Sequence, residues 1–186
     1  SLFSLYDVNP NDTFLGSSIW ESLVTPYGPL ITLLQLPLGY ASHLSESPLI
    51  PIYIFKLELL FFYYINIYLL SKITEELQFS KNQRKQSLWL YAASPLMIFE
   101  SLYAGHNDII ILSMLLLSTY LFLKNKKILS TLFSFLAFLG KYNAIFFLIF
   151  YISHYLHKKE FKNLLIFGLS SSLLVGLTYL WINSLA

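Results

Sequence analysis

The chain has 186 residues, of which 56% are hydrophobic and 12% charged, with a net charge of +2. Soluble domains carry roughly 25% charged residues, so this composition points to a single membrane domain with no separate soluble module. The small net charge argues against nucleic acid as a partner, and the absence of cysteine excludes disulfides and thiolate metal sites.

Residues 1–48 read as one long loop outside the membrane, with turn signals at Asn9-Pro10-Asn11-Asp12 and Tyr27-Gly28-Pro29. The start of the chain, Ser1 to Asp7, has neither an initiator Met nor a basic segment, so it is no signal peptide. The expectation is a fragment whose first membrane helix lies upstream. Within the loop, Pro29 to His43 predicts a helix about 22 Å long, interrupted by Gln35, Pro37 and Gly39. That is short of a bilayer core about 30 Å thick, which favours a juxtamembrane or re-entrant helix.

Six apolar stretches then approach membrane-spanning length and form the bundle of residues 49–186: Ile50 to Ser71, Leu88 to Tyr103, Ile109 to Leu123, Ile128 to Gly140, Tyr142 to Leu156 and Leu164 to Ile182. The fold class is therefore all-α, a polytopic transmembrane helix bundle of about six helices with one external juxtamembrane helix. Basic loops at Lys72 to Lys85, Lys124 to Lys127 and His157 to Lys162 belong on the cytoplasmic side. Alternation puts Leu44 to Leu49, Ala104 to Asp108, the Gly140-Lys141-Tyr142 break and the C-terminus outside. A single helix from Ile128 to Leu156 would be about 43 Å long and would move one basic loop across the membrane. Two short helices broken at Gly140-Lys141 keep the pattern, and Lys141 then sits in a wet, protein-lined cavity. No internal repeat and no matching pair of broken helices is visible, which lowers the case for an inverted-repeat transporter.

The polar residues between apolar runs carry the chemistry, because ionisable groups at membrane depth are costly unless they serve a purpose. Asp108 opens the helix at Ile109 and is either its N-cap or, with His106 and Asn107, part of a sugar or phosphate site. A divalent cation such as Mg or Mn suits such hard ligands, but one carboxylate and one imidazole do not establish a metal site, and no cofactor is assigned. Glu100 lies about a turn and a half below that loop and needs a partner. Lys56 is the candidate, unless it pairs with Glu58 and snorkels outward. Lys141, a lone cation at a helix break, is suited to compensate a phosphate. His43, His154 and His157 read as loop or interface residues, the last two on a solvated face. Most of the 14 Tyr, 16 Phe and 3 Trp belong to interface belts. Tyr27 stands out only by its neighbours Pro26, Gly28, Pro29 and Leu30.

Val8-Asn9-Pro10, Thr25-Pro26-Tyr27-Gly28-Pro29-Leu30, Ser94-Pro95-Leu96 with Glu100, Gly105-His106-Asn107-Asp108 and Gly140-Lys141-Tyr142 resemble, in order and spacing, the polyprenol-phosphate-mannose-dependent mannosyltransferases of the GT-C superfamily. The resemblance runs from Val8 to Leu156. Asn11 departs from it, since an aromatic residue usually follows the Asn-Pro. The resemblance implies juxtamembrane helices in the first external loop. It also implies inverting transfer of a sugar, mannose above all, from a polyprenyl-phosphate donor to a hydroxyl of a glycan or glycolipid acceptor, at the outer face of a multi-pass protein of the cell membrane. The catalytic base in such enzymes is an Asp upstream of the Asn-Pro segment, before this chain begins. Neither Asp7 nor Asp12 stands in its place, and the fragment by itself is expected to be inactive. On this reading Lys141, with Lys56 as second choice, meets the lipid phosphate, while His106 and Asp108 bind the donor or orient the acceptor. The alternatives are a transporter or lipid flippase subunit using Glu100 and Lys141 as a coupling pair, and a noncatalytic membrane scaffold.

Overall fold

In the computed structural model, the structure describes residues 27–43 and 49–184. The expectations for residues 1–26 and 44–48, including Asp7, Asn9 to Asp12 and Thr25-Pro26, and for the side chain of His43, lie outside the described residues.

All regular structure among the described residues is helical. The elements are α1 (Pro29–His43), α2 (Leu49–Glu76), α3 (Lys81–Ala92), a turn at Pro95–Met97 leading into a π-helix (Ile98–Tyr103), α4 (Asp108–Leu123), α5 (Lys127–Gly140), a 3-10 turn (Tyr142–Ala144), α6 (Ile145–His157) and α7 (Phe161–Ser184). Helix α1 occupies the expected span. Pro29 suits its first position, where no intrahelical N–H bond is needed.

Helix α2, 28 residues and about 42 Å, is the one helix among the described residues long and apolar enough to cross a membrane by length and composition. Helices α4 and α5, with 16 and 14 residues, are apolar but shorter than that criterion.

The expected single helix Leu88–Tyr103 is corrected. Pro95 has no N–H to donate and pushes Ser94 out of the helical region, to φ −64°, ψ 116°. The Ser94 hydroxyl then accepts from the Met97 amide at 3.4 Å, starting a new helical segment. From Ile98 the chain winds as a π-helix, with the Ala104 N–H on the Phe99 carbonyl. Helix α3 and the π-helix together run antiparallel to α2. Arg84 faces Glu75, the Tyr91 hydroxyl meets Asn66, Tyr63 donates to the Ala92 carbonyl, and Lys56 reaches Leu102.

Helices α2, α4 and α6 end alike. Gln78, Asn125 and Lys159 adopt φ of 56°, 56° and 55°. The next residue in each case, Phe79, Lys126 or Glu160, returns its N–H to a carbonyl five residues back. These are Schellman turns, which satisfy carbonyls that a helix end leaves orphaned. Ion pairs Lys124–Glu76 and Lys127–Glu160 then tie the three basic loops together at one end of the bundle. Lys127 and the Asn163 amide hold the Glu160 carboxyl below its ordinary range.

Near that end, Ser118, Ser130 and Tyr151 stitch α4, α5 and α6 through buried hydroxyls. Each serine donates to the other's carbonyl at 2.7 Å, and the phenol oxygen lies 2.7 Å from both serine oxygens. His154 does not lie on a solvated face: its ring packs edge-on to Phe122 at 4.9 Å, and its Nε2 is buried without a hydrogen-bond partner. His157, one turn on, is exposed as expected. The main core, Ile31, Leu59, Tyr63, Ile109, Ile110, Ile111, Ala137 and Ala144, sits toward the opposite end.

Candidate functional site

Ten of the 12 cationic residues lie in or beside the three basic loops; the other two, Lys56 and Lys141, lie at the opposite end. There the segment before α1 meets the end of α5. The Gly28 N–H donates to the Gly140 carbonyl at 2.8 Å. A Cβ at Gly28 would overlap the Leu139 carbonyl, so only glycine lets the two backbones approach this closely. Gly28→Ala is expected to cost about 1–3 kcal/mol, the usual range for overpacking, read as a lowered unfolding temperature of the detergent-solubilised protein. An unchanged temperature would show that the contact yields freely.

This backbone clasp places the Tyr27 ring 5.2 Å from the Lys141 ammonium, a cation–π distance. Lys141 follows Gly140 in extended conformation, φ −157°, so α5 stops and the side chain leaves the helix. Its Nζ lies 2.5 Å from Asp108 Oδ1. Lys141 is therefore no lone cation: the Asp108 carboxylate holds it. The Tyr27 phenol also interacts with Asp108. Burial first, and then the Asp108 charge, push its pKa up, so it stays a neutral hydroxyl.

Asp108 is not the N-cap of α4 but its first helical residue. Asn107 occupies the cap position with no side-chain capping bond, and its Oδ1 instead accepts from Gln35 Nε2 at 2.9 Å. Gln35 looks in sequence like an interruption of an apolar helix. A single amide inside an apolar run was the available signal for its contact, which links α1 to the Asp108 loop.

His106 and Asp108 do not pair with each other. His106 Nε2 is 3.2 Å from Glu100 Oε2, and its backbone N–H donates to the Glu100 carbonyl at 2.9 Å. The expected Glu100–Lys56 pairing is replaced as well: Lys56 donates to the carbonyls of Leu102, at 2.7 Å, and Tyr103. Lys56 does not bridge to Glu58, one of whose carboxylate oxygens is buried without a hydrogen-bond partner. Glu100 and Lys141, which a transporter would need as a coupling pair, each have their own partner. No three His, Asp or Glu side chains among the described residues converge as metal ligands.

Tyr27, Asn107, Asp108 and Lys141 thus converge, with His106 and Glu100 on the adjoining turn and Lys56 behind it. Within the cluster Asp108 is about half exposed, Lys141 less so and Asn107 buried. This defines an all-helical bundle with a cluster of polar side chains at the end opposite the basic loops. Residues 12–157 match the family model of the alpha-(1->6)-mannopyranosyltransferase N-terminal domain, the MptA_B family, and the chain belongs to that family. The match spans every residue of the cluster. No curated protein and no solved structure matches the chain.

Proposed function

We propose that the chain forms part of a multi-pass membrane mannosyltransferase that takes mannose from a polyprenyl-phosphate donor and transfers it to a hydroxyl of a glycan or glycolipid acceptor on the outer face of the cell membrane. Family membership supports mannosyl transfer. The observation that carries the choice of donor is Lys141, a cation held by Asp108 and Tyr27 at the end of the bundle remote from the basic loops.

The surface supports a bilayer as surroundings. Leu57, Phe61, Leu165, Leu169 and Leu173 are each more than 60% exposed, a belt that water would penalise and lipid tails would not. The cation-rich end fits the cytoplasmic side, which leaves the Tyr27–Asp108–Lys141 end outside.

In the inverting reaction proposed here, the acceptor oxygen attacks the anomeric carbon as the bond from that carbon to the phosphate oxygen breaks. The acceptor proton passes to a carboxylate base. The phosphate leaves with added negative charge, and preorganised cations stabilise such charge more effectively than water does. Of the three Nζ protons of Lys141 one serves Asp108, leaving others for a phosphate oxygen. His106 and Asp108 are exposed beside it and have the donors and acceptors that sugar hydroxyls require, while the buried Asn107 holds their loop to Gln35.

Sealed right-side-out vesicles containing the full-length protein test this reading. They should transfer labelled mannose from polyprenyl-phosphate-mannose added outside, and not from a nucleoside-diphosphate mannose. Use of the nucleotide donor, or transfer only in inverted vesicles, would refute the proposed donor or face respectively.

A further inference from the structure

Lys56 points to a role different from that of Lys141. The last carbonyls of a helix have no intrahelical donor and mark the negative end of its dipole. Leu102 and Tyr103 close the π-helix, and the Lys56 ammonium, arriving from α2, takes both of their carbonyls. The next residue but one, Gly105, has φ +81°. A Cβ there would lie 3.2 Å from Phe55 Cε1 and 3.5 Å from Lys56 Nζ, so the turn rests directly on these two α2 side chains. From that seat the chain turns His106 back onto Glu100 and delivers Asn107 to Gln35 and Asp108 to Lys141.

We infer that Lys56 is a positioning residue, which clamps the end of the π-helix to α2 and thereby sets where Asn107 and Asp108 stand, and that it is no ligand of the donor phosphate. Two of its three Nζ protons are directed at backbone carbonyls, which compensate its charge, whereas Lys141 commits one to Asp108. The two cations remote from the basic end thus divide the work, Lys141 facing the site and Lys56 supporting it from behind. The kinetic consequence rests on the mannosyltransferase reading; the structural one does not.

The test compares the full-length protein with its Lys56→Met and Lys56→Arg variants in lipid nanodiscs, by amide hydrogen exchange and by transfer kinetics. Lys56→Met should speed exchange across residues 104–108 at least tenfold while leaving the α2–α3 turn at residues 77–80 unchanged. Turnover should fall at least tenfold with KM for the lipid-phosphate donor within twofold of the parent, and Lys56→Arg should restore part of both. A raised donor KM with parental exchange would make Lys56 a donor contact and overturn the inference. Parental exchange with parental kinetics would overturn it too. If Lys56→Met does not yield folded protein, Lys56→Arg carries the same comparison. If no variant, nor the parent, transfers mannose, the exchange result still decides the clamp while the functional reading fails separately.

Discussion

Asp108→Asn is expected to lower mannose transfer about a hundredfold while leaving folded yield close to that of the parent, a loss equivalent to about 2.7 kcal/mol of transition-state stabilisation. The structural cost of the change is smaller. As the first residue of α4, Asp108 contributes its charge to the helix dipole, typically about 0.3–1 kcal/mol, and no side-chain capping bond is broken. The exposed contact to Lys141 adds little more to stability. A hundredfold loss of turnover therefore exceeds what a helix-start role explains. His106→Ala should act in the same direction through the loop, by releasing Glu100. Transfer kinetics beside a thermal unfolding curve make the check. Near-parental turnover in Asp108→Asn would reduce Asp108 to a helix-terminal residue.

Lys141→Met is expected to reduce both turnover and donor affinity at least tenfold, about 1.4 kcal/mol in each. The substitution removes the one ammonium that faces the mouth and leaves the Asp108 carboxylate without its partner, so an incoming phosphate meets a bare negative charge. Repulsion then adds to the lost attraction. Lys141→Arg should recover part of the activity: the guanidinium keeps the charge, but its planar fork does not reproduce a compact ammonium between Asp108 and the Tyr27 ring. Removing both partners in Lys141→Met/Asp108→Asn should cost less than the sum of the single changes, since the repulsion disappears with the carboxylate. Parental turnover and donor affinity in Lys141→Met would reject the phosphate role.

The sequence by itself determined a good part of this. Apolar runs bounded by Lys-rich turns mark where helices stop at the basic end. Gly140-Lys141 marks the break in the long apolar stretch, because two short helices are the arrangement that keeps every basic loop on one side. Pro29 marks the start of α1, and the motif residues Tyr27, Asn107, Asp108 and Lys141 stand out in the chain without any geometry. These are local properties: hydropathy, proline sterics and charge alternation act over a few residues and can be read along the chain.

Only the tertiary structure decided who partners whom. Sequence spacing places Asp108 beside His106, whereas the fold gives Asp108 to Lys141, 33 residues on, and His106 to Glu100. Gln35 reaches Asn107 across 72 residues, and Lys56 meets backbone carbonyls in place of the expected carboxylate. The left-handed turns at Gln78, Asn125 and Lys159 carry no glycine to announce them. The Ser94 break is hidden in the sequence, because apolar residues on both sides of Pro95 outweigh a single proline. A charged or amide group at the mouth of a bundle takes whichever partner the packing of other helices brings within about 3 Å, a distance set by contacts far apart in the chain.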